Sequence, residues 1–419
     1  MSSASRRAVY RRRRIVVGCV LAVLVVIGVY VPVSLFAPVP AAVAVVPDAG
    51  AVSSAATALA APGAGTSAIG MPADPAVPGS TPVTLGASGS TDSVPIASIT
   101  KTITALVVLD AKPLPDGTSG PDLTMTDADA GYLADTIAAG GSWASVYPGQ
   151  VLTERQVLEI MLLESANNYS VTLTTWAFGS VDAYLAAATA WLAAHDLSGT
   201  AVVDTSGLDP GSRSTSADLL TIASLVMADP TLAAIVGTAT DVLPQLGEIQ
   251  NTNKVLGQAG IVGIKTGTTD EAGFCLLFAS SFAVGDRTVT LVGVVLGAPS
   301  DDSLYASVLA LLQSAQSGFQ SVTVVTAGDV VGTYTTEWGD SADVVATESV
   351  QATVWSQSDV TRTTSLDTIG SGASGAVVGS ADYSLSGITL DPATYSVPLA
   401  LASDLPGPDA AWRLTHPVR

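Results

Sequence analysis

The chain has 419 residues and a net charge of −20, so it exceeds one average domain and is strongly acidic. Six of the twelve arginines lie in the first fourteen residues, which leaves six arginines and four lysines against 36 carboxylates. Such a body repels a phosphate backbone, and we expect no nucleic-acid binding. Hydrophobic residues make up 48% of the chain, enough for a substantial core, whereas 39 glycines and 23 prolines indicate that part of it is tether.

The first predicted element is a membrane-spanning helix. Residues 1–14 form a basic cytoplasmic segment, and residues 15–36 carry no charge. A helix of this length spans about 33 Å, enough to cross a hydrocarbon core. The arginines keep the N-terminus in the cytoplasm, so we expect a single-pass anchor in the cell membrane with the body on the extracytoplasmic side. A cleavable signal peptide, giving a secreted form, is the alternative, because Ala42 and Ala44 form an A-x-A cleavage pattern.

A tether and two domains follow the anchor. Residues 37–64 are rich in Ala, Pro and Gly, which is typical of a tether. Period-two patches past residue 319 predict a small all-β domain over residues 319–419. Between them, residues 65–318 show strand patterns at 65–97, 274–282 and 288–296 and helix patterns at 98–110, 153–165, 181–195, 216–227 and 303–313. The sequence thus predicts an α+β domain over residues 65–318, in which strands far apart in the chain share one sheet.

Cysteine and histidine exclude several kinds of site. Cys19 lies in the apolar N-terminal segment and Cys275 in a distant strand-like run, so we expect no disulfide. His195 ends an Ala-rich helix, and His416 lies close to the last residue. A Ser-His-Asp triad and a His-rich zinc site are therefore disfavoured. We expect no metal and no cofactor, and any hydrolase here needs a base other than histidine.

Lysine supplies a candidate base. Among the four lysines only Lys101 has a serine three residues before it, Ser98. Positions i and i+3 of a helix share one face, about 5–6 Å apart at Cβ, so the amine can reach the hydroxyl. Burial would weaken the proton affinity of the amine and let it act as a base toward the serine. A surface lysine at a helix start is the alternative.

Two further motifs support the catalytic interpretation. Ser165-Ala166-Asn167 follows a predicted helix, and Lys265-Thr266-Gly267-Thr268 begins a strand region. Asparagine is as scarce in the chain as lysine, so three motifs in the order S-x-x-K, S-x-N, K-T-G are improbable as a coincidence. This trio is the signature of penicillin-binding proteins and class A β-lactamases.

At these residues the sequence resembles the serine-type D-alanyl-D-alanine carboxypeptidases (peptidase family S11), which are low-molecular-mass penicillin-binding proteins. The likeness extends to residues 95–101, 162–168, 204–208 and 263–269 and covers roughly residues 65–318. It implies a penicillin-binding/β-lactamase-like transpeptidase fold, an antiparallel sheet flanked by helices with a helical subdomain. It also implies two ligands, the peptidoglycan stem peptide as substrate and β-lactam antibiotics as covalent inhibitors.

The resemblance also implies a role for each site residue. Ser98 would attack the carbonyl between the two terminal D-alanines, and Lys101 would take its proton. Ser165 would relay a proton to the leaving D-alanine. Asn167 would hold the substrate amide, and Gly267 would let the peptide lie close to its strand. Lys265 and Thr266 would bind the terminal carboxylate, with Lys265 also keeping Lys101 neutral. The N–H groups of Ser98 and Thr268 would form the oxyanion hole, and the turn at residues 204–208 would support the site.

Three other functions stay open at this point. A peptidoglycan DD-endopeptidase would use the same residues on the same fold. A class A β-lactamase would need a glutamate-held water, and Glu164, directly before Ser165, is differently placed from what that role requires. A catalytically silent envelope protein would bind peptidoglycan or a partner, and the intact motifs argue against it.

Overall fold

A computed structural model describes residues 3–50, 52–77 and 79–416, with side chains from residue 7 onward. The described chain divides into two compact units, Thr57–Gly318 on one hand and Met1–Ala56 with Phe319–Arg419 on the other. Parts of four predicted segments lie outside the described residues: 1–2 of the basic segment, 51 of the tether, 78 of the α+β domain and 417–419 of the β-rich domain.

The N-terminal residues form one long helix and two short strands. These are α1 (Ser3–Phe36), β1 (Val43–Val45) and β2 (Val52–Ser53). Within α1, an 18-residue stretch of Arg7–Phe36 reaches a mean hydropathy of 2.8, and this helix is long and apolar enough to cross a membrane. A membrane anchor and a signal sequence both fit such a helix.

The Thr57–Gly318 unit mixes helices and strands. Its strands are β3 (Thr66–Met71), β4 (Val83–Ser88), β5 (Val94–Pro95), β6 (Asp122–Thr124), β7 (Val151–Thr153), β8 (Arg213–Ser214), β9 (Thr240–Leu243), β10 (Gly247–Gln250), β11 (Ile261–Thr269), β12 (Gly273–Val284) and β13 (Arg287–Ala298). Its helices are α2 (Thr100–Ala111), α3 (Asp127–Ala138), α4 (Glu154–Leu163), α5 (Asn167–Phe178), α6 (Val181–Ala194), α7 (Ser216–Ala228), α8 (Pro230–Val236) and α9 (Asp301–Gln316), with 3-10 turns at Ala97–Ile99 and Gln258–Gly260.

One antiparallel sheet organises this unit. Its strand order is β11-β12-β13-β3-β4, so the first strands of the unit pair with its last, as the sequence predicts. Helix α7 packs on β13 and β3, and α9 packs on β12 and β13. The central helix α2 is buried from Thr100 to Leu109 and contacts α4, α5, α6 and α7. The 3-10 turn before α2 packs against the edge strand β11, which brings the start of α2 to the sheet.

Local sequence signals account for most helix N-termini in this unit. Helix α4 begins with the predicted capping box, in which Gln156 N donates to Thr153 Oγ1 (3.3 Å) and Thr153 N donates to Gln156 Oε1 (3.0 Å). Pro230 stands at the first position of α8, a helix that the sequence reading did not predict, where a missing N–H costs nothing. Helices α3 and α5 were also missed; α3 follows a stretch rich in Asp, Gly and Pro that is typical of a loop.

The other unit is β-rich beyond Phe319. Its elements there are β14 (Phe319–Val325), β15 (Val330–Thr335), β16 (Ser341–Ala346), β17 (Val350–Trp355), β18 (Asp359–Leu366), β19 (Val377–Leu385), β20 (Ile388–Thr389), β21 (Thr394–Leu401) and α10 (Ala410–Thr415). A seven-stranded sheet has the order β1-β15-β16-β21-β19-β18-β2, and β14, β17 and β20 form a second sheet.

The structure corrects the predicted tether over residues 37–64. Strand β1 pairs with β15, and β2 pairs with β18, so this segment supplies both edges of the seven-stranded sheet. Val43, Val45 and Val52 are β-branched, which suits such edge positions. These short strands could not be predicted because they lie in a sequence rich in Ala and Pro. Their pairing partners are strands far away in the chain, which the local sequence does not reveal.

Candidate active site

The structure brings Ser98 and Lys101 into contact. Ser98 lies in the 3-10 turn Ala97–Ile99, and Lys101 lies in the first turn of α2. Lys101 Nζ donates to Ser98 Oγ over 2.8 Å and to the carbonyl oxygen of Ser206 over 3.2 Å. The side chain of Lys101 is fully buried, whereas Ser98 is partly exposed. The amine therefore reaches the hydroxyl, and the residue that carries the hydroxyl is partly open to solvent.

The electrostatic surroundings of Lys101 favour its neutral form. Burial holds the pKa of Lys101 well below its usual range, because the charged amine loses its hydration. The positive charge of Lys265 lowers this pKa further, and the carboxylate of Asp204 raises it. A neutral amine has a lone pair for the proton of Ser98, so this lysine can act as a base.

Two glycines enclose the turn that carries Ser98. A Cβ at Gly207, which has φ +79°, would lie 1.8 Å from the carbonyl oxygen of Ala97. A Cβ at Gly267 would lie 2.9 Å from Ile96 O and 3.0 Å from Ser98 N. Gly267 was predicted to leave room for a peptide. The structure instead fills the space above this glycine with the nucleophile turn, which only a residue without a side chain permits.

The turn at residues 204–208 holds the second partner of Lys101. The carboxylate of Asp204 accepts hydrogen bonds from Ser206 Oγ (3.0 Å), Gly207 N (2.8 Å) and Leu208 N (2.8 Å). These bonds fix the backbone whose Ser206 carbonyl accepts from Lys101. The sequence predicts only a supporting role for this turn. Its pattern, Asp-Thr-Ser-Gly at residues 204–207, can be recognised in the sequence, but its contact with Lys101 depends on the packing of distant segments.

The second motif lies at the junction of α4 and α5. Ser165 is buried and has φ +61°, and Asn167 begins α5. Asn167 N donates to Ser142 O over 2.8 Å, while its buried Oδ1 has no hydrogen-bond partner among the described residues. Helix α5 is tied to the Asp204 turn because Ser170 Oγ and Thr205 Oγ1 share a hydrogen bond of 2.8 Å. An unpaired buried amide oxygen is able to accept from a ligand N–H.

The third motif lies on the edge strand β11. Side chains alternate along a strand, so Lys265 and Gly267 share its buried face, and Thr266 and Thr268 share the other. The Lys265 side chain is 1% exposed, and its Nζ has no hydrogen-bond partner within the described chain. Burial lowers the pKa of Lys265 to about 7. Binding of the substrate carboxylate by Lys265 stays a prediction, for which the unpartnered Nζ is an available donor.

Thr266 has a partner that the sequence reading missed. Its hydroxyl shares a 2.6 Å hydrogen bond with Thr252 Oγ1, in the segment between β10 and β11. Asn251 fixes this segment, since its Nδ2 donates to the carbonyl oxygens of Val236 and Thr238. Thr252 therefore orients the hydroxyl of Thr266. Nothing in the sequence of residues 251–253 indicates that role.

Neither histidine belongs to this site. The ring of His195 lies on Trp191, with centroids 4.0 Å apart, and its Nδ1 is 2.8 Å from Trp191 O. His416 stacks on Trp412 in the other unit. Across the described residues, no three His, Cys, Asp or Glu side chains are grouped as metal ligands. The chemistry of the site rests on serine, lysine, asparagine and threonine.

Comparison with known proteins agrees with this geometry. A family model described as D-alanyl-D-alanine carboxypeptidase (peptidase S11) matches residues 77–300. The D-alanyl-D-alanine carboxypeptidase DacD of Salmonella typhimurium is 27% identical over 255 residues, which cover 59% of this chain and 63% of that protein. A D-alanyl-D-alanine endopeptidase of Pseudomonas aeruginosa is 29% identical over 196 residues, 45% of this chain and 60% of the relative. The chain thus spans about 60% of the length of these curated relatives.

Solved structures share the fold. The crystal structure of penicillin binding protein 5 from Haemophilus influenzae superposes with a TM-score of 0.56 and 19% identity, covering 83% of this chain and 98% of that one. This likeness establishes a penicillin-binding-protein fold, as the sequence predicts. The family model spans more than half of the chain, including all three motifs. The protein belongs to the D-alanyl-D-alanine carboxypeptidase family of serine peptidases.

Proposed function

We propose that the protein is a serine D-alanyl-D-alanine carboxypeptidase, which removes the terminal D-alanine from peptidoglycan stem peptides. The observation that carries this proposal is the 2.8 Å hydrogen bond between Lys101 Nζ and Ser98 Oγ. A lysine that is neutral because it is buried accepts the serine proton, and the serine oxygen attacks the carbonyl carbon of the scissile amide. The products are an acyl-enzyme and free D-alanine, and water then releases the shortened peptide.

The oxyanion of the tetrahedral intermediate needs donors at the nucleophile turn. Ser98 N lies beside β11 because Gly267 lets the turn approach this strand. The N–H groups of Ser98 and Thr268 are therefore the candidates for the oxyanion hole. Each such donor contributes about 3–4 kcal/mol in other acyl-transfer enzymes. Ser165 is the candidate for the proton relay from Lys101 to the amine of the leaving D-alanine.

The terminal carboxylate of the substrate is best placed at β11. Thr266 and Thr268 lie on the face of the strand opposite to Lys265, and they present hydroxyl groups to a ligand. The buried Lys265 supplies positive potential from beneath the strand. Asn167 Oδ1, which has no partner among the described residues, accepts from the substrate amide. Because β11 is an edge strand, the substrate backbone can pair along its free side.

Endopeptidase activity is the second candidate, and one comparison favours it. The Pseudomonas aeruginosa relative is named an endopeptidase, and it is about as similar to this chain as the relative named a carboxypeptidase. The two reactions use the same nucleophile and differ in the amide that is cut. An activity assay distinguishes the two reactions by substrate: a carboxypeptidase cleaves a pentapeptide, and an endopeptidase cleaves a cross-linked dimer.

The proposed site of action is the outer side of the cell membrane. Helix α1 has five arginines between Arg7 and Arg14 at its N-terminal end and an apolar remainder. Such a distribution keeps the arginines in the cytoplasm and exports the rest of the chain. β-Lactam antibiotics, which resemble the D-alanyl-D-alanine terminus, would acylate Ser98 and remain bound as covalent inhibitors.

Labelling with fluorescent penicillin tests the nucleophile, and mass spectrometry of D-alanine release from a pentapeptide tests the reaction. We expect the wild type to label and to release D-alanine, and Ser98→Ala to do neither. Lys101→Met keeps the length of the buried side chain and should lower both rates by at least about 10³-fold. Lys112→Met, which alters an exposed lysine just past α2, is the matched control and should react like the wild type. A wild type that neither labels nor releases D-alanine would refute the proposal.

A further inference from the structure

A pocket at the end of α1 has no residue in common with the proposed active site. Its volume is about 350 Å³, which is within the size range of small-molecule sites. It lies between the last turn of α1, residues 37–40, the turn after β15 and the C-terminal helix α10. All of these segments belong to the unit that contains α1 and the β-rich domain.

Hydrogen bonds between α1 and α10 build this pocket. Arg413 Nη1, on α10, donates to Leu35 O over 3.2 Å and to Ala37 O over 2.9 Å. The guanidinium thus caps the end of α1, where carbonyl oxygens have no helical donor. Tyr30 Oη adds a hydrogen bond of 2.7 Å to the carbonyl oxygen of Leu414. Helix α10 is therefore fixed against the last two turns of α1.

Several polar groups of the pocket are available to a ligand. Ser34 is 3% exposed, and its buried Oγ has no hydrogen-bond partner among the described residues. The hydrogen bonds of Arg413 to described residues use Nε and Nη1, which leaves Nη2 to donate. Glu337 and Arg413 both line the pocket, yet in the part of the chain that the structure describes they form no ion pair with each other. A buried hydroxyl without a partner calls for an explanation, and a bound ligand supplies one.

The charges of these groups define the chemistry of the ligand. The N–H groups of Arg413 and the hydroxyl of Ser34 donate, and a guanidinium is a strong partner for phosphate. The Glu337 carboxylate accepts only, and it suits an ammonium group. A ligand with only a negative charge would be repelled by Glu337, and one with only a positive charge would be repelled by Arg413. A phosphoethanolamine group, which carries both charges, satisfies the two residues together.

The position of the pocket along α1 indicates the source of such a ligand. Ser34 lies 19 positions after Ile15, the first residue of the uncharged segment, which is about 28 Å along a helix. A hydrocarbon core is about 30 Å thick, so a membrane-spanning α1 places Ser34 at the level of the lipid headgroups. Tryptophan is enriched at this level. Trp412 lines the pocket, with the His416 ring stacked on it and Trp338 in edge contact at 5.5 Å between centroids.

We infer that this pocket binds the phosphoethanolamine headgroup of a membrane phospholipid, with the phosphate at Arg413 and Ser34 and the ammonium group at Glu337. The inference goes beyond the proposed enzymatic function, and it rests on the proposed membrane position of α1. A bound lipid would bridge α1 and α10 and hold α10 at the membrane surface. A chain cleaved after Ala44 would lack Ser34 and therefore this site.

The test is native mass spectrometry of the full-length protein in detergent. The protein is incubated with equal amounts of phosphatidylethanolamine, phosphatidylcholine and phosphatidylglycerol that have the same acyl chains. The choline group has no N–H to donate to Glu337, and the glycerol group has no positive charge. We expect one phosphatidylethanolamine per chain, retained about fivefold more than either of the other lipids.

Two variants examine the two halves of the headgroup. Glu337→Gln should reduce the preference to about twofold or less. Glu348→Gln, which removes an exposed carboxylate of the same unit outside the pocket, should keep it. Ser34→Ala should weaken the binding of phosphatidylethanolamine and phosphatidylcholine alike, by about fivefold, because both lipids carry the phosphate. Amide hydrogen exchange in α10 shows whether each variant retains the contact of this helix with α1.

A second arm distinguishes a lipid from a soluble compound with the same group. The competitor is sn-glycero-3-phosphoethanolamine, which has the headgroup without acyl chains. We expect it to displace the lipid only at concentrations at least about 100-fold higher, because the acyl chains add apolar contact.

The outcomes decide the inference independently of the enzyme. Equal retention of the three lipids by the wild type, or an unchanged preference in Glu337→Gln, would overturn it. Binding of the soluble compound as tightly as the lipid would overturn a lipid as the ligand, and so would an intact mass that shows the loss of residues 1–44. Penicillin labelling of Ser98 is measured on the same samples, so a failure of the proposed function is recognised separately.

Discussion

Replacing Lys265 by methionine should stabilise the Thr57–Gly318 unit. Lys265 is fully buried without a hydrogen-bond partner among the described residues, and its pKa falls from the usual 10.5 to about 7. The difference of about 3.5 pH units corresponds to about 5 kcal/mol against the protonated form, at 1.36 kcal/mol per unit. Local relaxation and water entry reduce the full figure, so we expect a gain of about 2–5 kcal/mol at pH 7.

The size of this effect changes with pH in a defined window. Between about pH 7 and 10.5 the unfolded chain binds a proton at Lys265 that the folded chain does not, so the free energy of unfolding of the wild type rises with pH. Above this window both states are neutral, and the pH-dependent part of the stability difference between the lysine and methionine proteins should vanish. The advantage of Lys265→Met should therefore grow as pH falls from 10.5 to 7 and then level off.

Cys275 offers a probe confined to this unit. It is a free, buried thiol on β12, and Cys19 is the other cysteine in the chain. In a Cys19→Ala background, short pulses of a thiol reagent along a denaturant series report the fraction unfolded. Lys112→Met serves as the control: Lys112 is exposed and its Nζ lies 5.9 Å from the Trp176 ring centroid, so its replacement should lower the free energy of unfolding by at most about 1 kcal/mol. A less stable Lys265→Met protein at pH 7, or an advantage that does not vary between pH 7 and 10.5, would refute the reasoning.

Three other variants test separate parts of the structure. Gly207→Ala places a Cβ 1.8 Å from Ala97 O and should slow acylation by penicillin at least about 100-fold, measured by rapid kinetics. Gly247→Ala is the control: Gly247 has a similar φ of +85° but open space around it, so this variant should be acylated at the wild-type rate. Burial raises the pKa of Glu154 from 4.5 to about 7, so the wild type should lose up to about 3 kcal/mol as pH rises through that interval. Glu154→Gln should remove this loss in unfolding curves at pH 5 and 8. Arg413 donates to the carbonyl oxygens of Leu35 and Ala37, so Arg413→Ala should speed amide hydrogen exchange in α10 by about 5- to 100-fold, from the loss of about 1–3 kcal/mol.

Much of the catalytic centre could be predicted because its signals are local or rare. Ser98 and Lys101 are three residues apart, and helical geometry alone brings their side chains together. The capping box at Thr153 and Gln156 is equally local, and the structure shows both of its hydrogen bonds. The third motif could be recognised because lysine is rare: Lys265 is one of only four lysines in the chain.

The rest depends on contacts between distant segments, which a single sequence does not reveal. The carbonyl oxygen of Ser206 accepts a hydrogen bond from Lys101, which is 105 residues away in the sequence. The hydroxyl of Thr252, in a neighbouring loop, shares a hydrogen bond with the hydroxyl of Thr266. The edge strands within residues 37–64 form because β15 and β18 offer them partners. Lys265 lies on the face of β11 that also carries Gly267, against which the nucleophile turn packs. The alternation of side chains along a strand predicts that Lys265 and Thr266 lie on opposite faces of β11. It does not show which of the two faces is buried.

Ala97 provides a test of whether backbone strain serves the nucleophile. It has φ +47°, a conformation that costs about 1–2 kcal/mol in a residue with a Cβ, and it directly precedes Ser98. Strain of this kind persists only where the surroundings enforce it, and here Gly207 and Gly267 enclose the turn. Ala97→Gly would relieve the strain in the fold, while the freer unfolded chain would offset about 0.4–1 kcal/mol of that gain.

We therefore expect Ala97→Gly to change the free energy of unfolding by less than about 1 kcal/mol and yet to acylate about tenfold more slowly. A glycine permits other conformations of the turn, so Ser98 would spend less time against Lys101. Cys275 labelling measures the stability, and the rate of fluorescent penicillin attachment measures the acylation. Wild-type acylation in this variant would show that the glycines and Lys101 position Ser98 without help from the strained residue. A loss of more than about 2 kcal/mol would show that the Ala97 methyl group matters mainly for packing.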